Sequence, residues 1–208
     1  VEIEWLITLC SEGVAGTTAL PAKTAATLRA VVDDFGPDDI HKIAAYEAVT
    51  KHDVKAVEYY VRDVLAAHGL DSVSELVHFS CTSEDINNVS YALVTRDAVA
   101  QVWLPAFDGV AGRISELART WRGAPMLAKT HGQPATPTTF GKELAVFSGR
   151  LSRVRDRIVQ APYVAKFSGA TGTFSAHIVA EPGINWPIVS KNFVEGLGLT
   201  WNPLTTQI

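Results

Sequence analysis

Hydrophobic residues recur at helical spacing along most of the chain. Over roughly the first third this pattern predicts four short helices, at about residues 1–12, 22–34, 38–49 and 53–68. Helix-breaking residues separate them, as Gly36-Pro37 does after the second helix and Gly69 after the fourth. This part of the chain is therefore expected to form a set of packed amphipathic helices.

Two longer helices are predicted further along, at about residues 84–121 and 140–161, each with hydrophobic residues at seven-residue intervals. Pro105 predicts a kink in the first of them. Small residues such as Gly141 and Gly149 keep part of the second slim enough for close helix contact. This spacing is typical of helical bundles.

Two stretches interrupt the helical pattern. Residues 132–137 read Gly-Gln-Pro-Ala-Thr-Pro and predict a rigid turn without regular hydrogen bonding. Residues 163–187 are rich in Gly, Ser, Thr and Pro and predict a loop or a small hairpin, after which a weak helical pattern resumes at 188–197. Neither stretch contains a GxGxxG or GxxxxGK[ST] motif, so a nucleotide-cradling loop is disfavoured.

Composition narrows the classes of function. The chain is 47% hydrophobic and 19% charged with a net charge of -4, which gives no electrostatic reason to bind nucleic acid or an anionic membrane. Cys10 and Cys81 have no CxxC partner, so neither a disulfide framework nor a structural zinc site is expected, and a reducing cytoplasm fits best. One helix carries four arginines, interpreted as a solvated or salt-bridged face: Arg150, Arg153, Arg155 and Arg157.

Three polar segments at predicted helix boundaries are candidates for chemistry. In Thr50-Lys51-His52-Asp53, a histidine beside a lysine and the positive end of a helix suits a phosphate or a carboxylate. A purely structural role, with Thr50 or Asp53 as the helix cap, is equally compatible with the spacing.

The second segment begins the longest predicted helix. The hydroxyls of Thr82 and Ser83, together with the free N–H groups of the first turn, suit a carboxylate. Thr82 and Asp85 also approximate a capping box, which by itself favours a structural role. In the third segment, residues 129–137, His131 is displayed on a turn, where functional side chains are often found.

These segments occur in the same order as the motifs of a known family. The sequence resembles the fumarase/aspartase superfamily and, within it, the bacterial adenylosuccinate lyases. Four stretches carry the resemblance: Thr-Lys-His-Asp-Val-Lys-Ala-Val-Glu-Tyr from position 50, Thr-Ser-Glu-Asp-Ile-Asn-Asn from 82, Thr-His-Gly-Gln-Pro-Ala-Thr-Pro from 130, and Trp-Asn-Pro-Leu-Thr-Thr-Gln-Ile from 201.

The resemblance implies an all-α fold, a fumarase/aspartase-like bundle of long helices with a smaller helical N-terminal domain. We expect the N-terminal domain at residues 1–81 and the bundle domain at 82–208. Subunits would assemble as a homotetramer with active sites shared between them. The implied substrates are small molecules, adenylosuccinate and the related succinyl-carboxamide ribotide of purine synthesis, each losing fumarate without a metal or an organic cofactor.

The resemblance also assigns roles to individual residues. Elimination of fumarate needs a base, an acid for the departing nitrogen, and neutral donors around the carboxylates of a charged intermediate. His131 is the expected general acid, and His52 lies near the substrate phosphate or assists His131. The expected donors to the substrate carboxylates are Thr82, Ser83 and Gln207. The other expected substrate-binding residues are Lys51, Asp53, Thr130 and Gln133.

Departures from the family pattern set a limit. Relatives carry a serine base in a mobile Ser-Ser-x-Met-Pro-x-Lys-x-Asn-Pro loop and an N-terminal segment with substrate-binding Arg and Tyr, and these 208 residues contain neither. We therefore expect a fragment that is inactive alone and exposes apolar helix surface. Argininosuccinate lyase and fumarase are alternatives within the superfamily, and a non-catalytic helical oligomerisation module is an alternative of another class.

Overall fold

The structure, a computed structural model, describes residues 1–208 and contains nine α-helices and four short strands. It divides into two compact units: the first unit comprises residues 1–93 and 164–208, and the second unit comprises residues 94–163. The all-α fold class is confirmed. The predicted domain division at residues 81 and 82 stays a prediction.

The four short helices predicted for the first third of the chain are present within two residues of the expected bounds. They are α1 (Glu2–Ser11), α2 (Ala22–Asp33), α3 (Pro37–Thr50) and α4 (Asp53–Ala67). Short 3₁₀-helices at Val14–Gly16 and Asp71–Leu76 connect parts of this unit. The agreement reflects the strong punctuation of the sequence, because Pro37 begins α3 and Gly69 follows α4 with a positive φ.

The remainder of the first unit differs from the predicted loop or small hairpin. Residues 163–187 contain a six-residue helix, α8 (Ser175–Ala180), which is too short to produce a periodic hydrophobic pattern. Strand β3 (Val164–Ala165) pairs in parallel with β4 (Thr200–Trp201), which follows helix α9 (Trp186–Gly196) in the sequence. The loop that follows β3 is thereby tied to the last residues of the chain.

Aromatic rings form the centre of the first unit. The ring centroid of Trp5, on α1, lies 4.3 Å from Phe167, 5.1 Å from Phe193 and 6.3 Å from Trp186. His177 is fully buried beside them, with its ring 4.9 Å from Trp186. Burial lowers the pKa of His177 to about 4, so its imidazole is neutral at neutral pH and packs as an aromatic ring.

The predicted pair of long helices lies mostly in the second unit. Helix α5 (Ser83–Ala98) begins in the first unit and continues through five π-helical residues, Val99–Trp103, into α6 (Leu104–Thr120). Helix α7 (Phe140–Gln160) packs against α6. The π-helical stretch ends just before Pro105, at a place where the regular helical hydrogen-bond ladder has no donor.

Polar contacts between α6 and α7 support the interpretation of the arginine-rich face. The Arg155 guanidinium forms a bidentate ion pair with Asp108, and Ser115 and Ser148 share a hydrogen bond of 2.6 Å. The ion pair joins side chains that are 35% and 44% exposed, so it is a solvated surface contact. None of the nine helices combines the length and the apolar character that crossing a bilayer requires.

The prediction of an irregular turn at residues 132–137 is wrong. This stretch is part of an antiparallel hairpin in which β1 (Pro125–Thr130) pairs with β2 (Gln133–Thr139). Two prolines in β2 suggested irregular backbone, but an edge strand of a two-stranded sheet needs only half of its N–H groups for pairing and tolerates proline. The hairpin turn consists of His131 and Gly132.

The close approach of α6 and α7 at Gly141 gives a direct test of their packing. A Cβ atom at Gly141 would collide with the backbone of Ala118 and Arg122, whereas at Gly149 it would meet only the end of the Arg153 side chain. We expect Gly141→Ala to lower the free energy of unfolding by about 1–3 kcal/mol. In contrast, Gly149→Ala is expected to raise it by roughly 0.5–1 kcal/mol. Urea denaturation of the two variants would contradict the packing if both were equally stable.

Candidate functional site

The first candidate segment forms the junction between α3 and α4. Lys51 ends α3 in a left-handed conformation, with φ of 55°, and His52 is the N-cap of α4. The Nδ1 atom of His52 accepts a hydrogen bond of 3.3 Å from the backbone N–H of Lys55. The structural alternative with Thr50 or Asp53 as the cap is therefore wrong in its choice of residue, because His52 forms the cap.

The cap determines which nitrogen of His52 is available for other contacts. Because Nδ1 accepts a hydrogen bond, a neutral ring carries its proton on Nε2. That Nε2 atom lies 3.4 Å from the hydroxyl oxygen of Ser83, at the start of α5. The structure thus brings two of the predicted segments together, with the Nε2 atom of His52 beside the serine hydroxyl.

The second segment begins α5 with half of a capping box. The Asp85 carboxylate accepts a 3.0 Å hydrogen bond from the backbone N–H of Thr82. This leaves the hydroxyls of Thr82 and Ser83 at the N-terminal end of α5, both partly exposed, where donors and the helix dipole favour an anion. Two helix N-termini, those of α4 and α5, therefore face the same cluster of polar side chains.

Sequence reasoning missed the buried ion pair beneath this cluster. Lys166 and Asp85 are 2% and 0% exposed, and the Lys166 ammonium lies 2.7 Å from the Asp85 carboxylate. The sequence pattern marks Asp85 only as a capping residue, and it places Lys166 within a predicted loop. A charged pair of residues so distant along the chain has no local sequence pattern, so only the folded structure reveals it.

The fourth stretch that carries the family resemblance, residues 201–208, lies against the loop after β3, which contains Lys166. The hydroxyls of Ser168 and Thr205 are 3.2 Å apart, and the backbone of Gly172 packs so closely on Thr205 that no larger residue would fit. Gln207 is exposed two residues further on. The structure therefore places the Thr205–Gln207 segment on the loop that also contacts Asp85.

The remaining predicted residues lie in the second unit. His131 is exposed in the hairpin turn with φ of 49°, and Gly132 has φ of 78°, as in a type I′ turn. Thr130 and Gln133 are directly paired on either side of it and are also exposed. The turn thus displays the imidazole and two polar neighbours on a regular β-hairpin. No group of three or more His, Cys, Asp or Glu side chains is arranged to hold a metal ion.

A family described as "Lyase" matches residues 8–208 of the chain. Adenylosuccinate lyase of Escherichia coli strain K12 is 42% identical over 210 residues, covering 100% of this chain and 46% of that protein. Adenylosuccinate lyase of Vibrio cholerae is 43% identical over 211 residues with the same coverage. The chain spans about half the length of the curated relatives it matches.

Solved structures show the same fold. Fumarate lyase from Mesorhizobium sp. BNC1 superimposes with a TM-score of 0.75 at 25% identity, over 98% of this chain and 45% of that one. The 3-carboxy-cis,cis-muconate lactonizing enzyme from Pseudomonas putida gives a TM-score of 0.71 at 25% identity, over 97% of this chain and 43% of that one. The architecture is therefore that of the fumarase/aspartase superfamily.

Proposed function

This chain belongs to the lyase family, and on that basis we propose that its protein cleaves adenylosuccinate to AMP and fumarate. The same elimination is proposed for the succinyl-carboxamide ribotide of purine synthesis. The observation that carries the proposal is the placement of His52 against Ser83, where the N-termini of two helices meet. The relatives with 42–43% identity along the whole chain, all adenylosuccinate lyases, support the choice of substrate.

The polar cluster suits a substrate with several negative charges. Adenylosuccinate carries two carboxylates and a phosphate, and each needs donors that are already in place before the reaction. Thr82, Ser83 and Gln207 are neutral donors proposed for the carboxylates. Lys51 and His52, beside the N-terminus of α4, are proposed to bind the phosphate, with Asp53 in the same site.

The proposed acid is His131, which protonates the departing nitrogen as the C–N bond breaks. Its exposed position on the hairpin turn leaves the imidazole accessible to a ligand, and Thr130 and Gln133 beside it are proposed to contact the substrate. A histidine suits this step because its ordinary pKa lies near neutral pH. The proposal assigns the role of proton-abstracting base to none of residues 1–208.

A homotetramer with shared active sites is the proposed assembly. The helices of the second unit expose large apolar side chains that a helical bundle would cover: Val94, Val102, Trp103, Val110, Phe147 and Val154. The proposed location is the cytoplasm, because both cysteines are unpaired and suit a reducing compartment.

Product identification on the full-length protein tests the proposal. The purified protein is incubated separately with adenylosuccinate, argininosuccinate and malate, and fumarate is measured together with AMP or arginine by mass spectrometry. We expect fumarate and AMP from adenylosuccinate at the highest kcat/KM of the three. Release of arginine, or dehydration of malate at a higher kcat/KM, would overturn it, as would no fumarate from any substrate.

Two replacements of His52 separate the helix cap, formed by Nδ1, from the outward donor, which is the Nε2 nitrogen that faces Ser83. Asn at position 52 keeps a cap acceptor but is too short to reach the position of Nε2, so we expect unchanged stability and a roughly 10- to 100-fold lower kcat/KM. Gln places an amide nitrogen near Nε2 but loses the cap, so we expect a free energy of unfolding about 1 kcal/mol lower and a smaller loss of activity. If His52→Asn had the activity of the wild type, the outward donor would have no role.

A further inference from the structure

We infer that Asp85, paired with Lys166, is a positioning residue that aligns the Thr82–Ser83 end of α5 with the Thr205–Gln207 segment. This inference rests on the proposed function, because these are the two places where neutral donors for the substrate carboxylates are proposed. Asp85 does not touch the substrate in this role. It acts through the backbone groups that it holds.

Four donors converge on the Asp85 carboxylate. The backbone N–H of Thr82 donates at 3.0 Å, that of Ser168 at 3.0 Å, and that of Gly169 to both oxygens at 3.3 and 3.0 Å. The fourth donor is the Lys166 ammonium at 2.7 Å. One side chain therefore fixes the first turn of α5 and the loop after β3 at the same time.

Lys166 is held as firmly as the carboxylate that it pairs with. Its ammonium also donates to the carbonyl of Gly169 at 2.8 Å. The Asn88 side chain, one turn along α5 from Asp85, accepts from the Lys166 backbone N–H at 2.8 Å and donates to its carbonyl at 3.0 Å. The loop is thus clamped to α5 through both its backbone and its buried charge.

The clamp extends to the proposed substrate donors at the end of the chain. Ser168, whose N–H is held by Asp85, contacts the hydroxyl of Thr205 at 3.2 Å. Gly172, in the same loop, packs against the backbone of Thr205 and Thr206. Movement of the loop would therefore move the segment that carries Gln207.

A charged pair suits this task better than a neutral one. An ionised carboxylate accepts at both oxygens, whereas an Asn at position 85 would turn an N–H group towards backbone N–H donors. Lys166 balances the negative charge of Asp85, which would otherwise repel a carboxylate bound at Ser83, two residues away in the first turn of α5. Burial of such a pair adds little stability over apolar residues of equal size, so its specific value lies in orientation.

The test compares Asp85→Asn, Lys166→Met and the double variant D85N/K166M in the full-length protein. Each single variant leaves one partner buried without its counterpart and is expected to unfold at lower temperature. The double variant removes both charges and is expected to recover only the part of that loss that comes from an unpaired charge, because the Asn at position 85 still turns an N–H group towards backbone N–H donors. Because the donors are then misaligned, its kcat/KM for adenylosuccinate is expected to remain about 100-fold below that of the wild type. Glu75→Gln, which removes an exposed carboxylate paired with Arg62, is the control and is expected to keep wild-type kinetics.

Hydrogen exchange on the double variant provides a readout that does not depend on activity. We expect faster exchange at the amides of Ser168 and Gly169 and across residues 204–207 than in the wild type. A double variant with wild-type exchange, or with wild-type kcat and KM, would overturn the positioning role. A wild-type protein that does not cleave adenylosuccinate would overturn the proposed function instead, whatever the exchange result.

Discussion

Replacement of His131 by Asn is expected to lower kcat for adenylosuccinate by about 10²- to 10⁴-fold, the usual contribution of a positioned general acid. Asn cannot protonate the leaving nitrogen at neutral pH. The fold should be preserved, because Asn tolerates the positive φ of position 131 and Asn-Gly is a favoured pair for this type of hairpin turn. The measurement is steady-state kinetics on the full-length protein together with its thermal unfolding.

The matched control is His41→Asn, which changes an exposed histidine on α3 outside all of the candidate segments. It is expected to have the kcat and KM of the wild type. A His131→Asn variant that kept more than about half of the wild-type kcat would remove His131 from the role of general acid. Since stability is expected to be unchanged or higher, a loss of activity could not be attributed to unfolding.

The second large effect, on stability, is expected from a network of charged side chains that joins Glu2 of α1 and Glu58 of α4 to His78. The Nδ1 atom of His78 lies 2.7 Å from the Glu2 carboxylate, and its Nε2 lies 3.8 Å from that of Glu58, which also pairs with Lys55. Glu2 and Glu58 are both buried. His78→Ala leaves Glu2 without its cation, so we expect the free energy of unfolding at pH 6 to fall by about 3–5 kcal/mol.

This loss should depend on pH. Burial opposes the charged form of His78, but the hydrogen bond that its imidazole donates to Glu2 and the charges of Glu2 and Glu58 outweigh burial, so the pKa of His78 is raised above its usual 6.5. The stabilisation is therefore complete below pH 6.5 and is lost as the pH rises through the raised value. Urea denaturation should show a larger difference between wild type and His78→Ala at pH 6 than at pH 9.

His78→Asn serves as the matched variant, because Asn tolerates the φ of 60° at this position and keeps a neutral donor. It is expected to show the same pH trend with a smaller loss. A difference between wild type and His78→Ala that grew from pH 6 to pH 9 would contradict the charged form of His78 in the folded protein.

The long helices could be predicted from the sequence because their hydrophobic spacing is regular over many turns. Helices α6 and α7 repeat their apolar positions every seven residues, and α3 and α4 begin and end at recognisable breakers. The hairpin that carries His131 was missed because its prolines resemble those of an irregular turn. Helix α8 was missed because six residues produce no period.

The candidate site could be predicted only in part. Thr82, Ser83 and His52 were identifiable from their positions at helix boundaries, and the structure brings Ser83 and His52 together. Which side chain each of these residues contacts depends on tertiary packing, which the sequence does not reveal. The same holds for the ion pair between Asp85 and Lys166. The cap formed by His52 was missed because imidazole is an uncommon cap, whereas its neighbours Thr50 and Asp53 are common ones.

A structure of the full-length protein with AMP and fumarate bound tests the central claim most directly. We predict that the hydroxyls of Thr82 and Ser83 and the amide of Gln207 lie within hydrogen-bonding distance of the fumarate carboxylates. The His131 imidazole of one subunit should lie beside the exocyclic nitrogen of AMP, and His52 beside its phosphate. Ligands bound without contact to any of these side chains would contradict the assignment of this site.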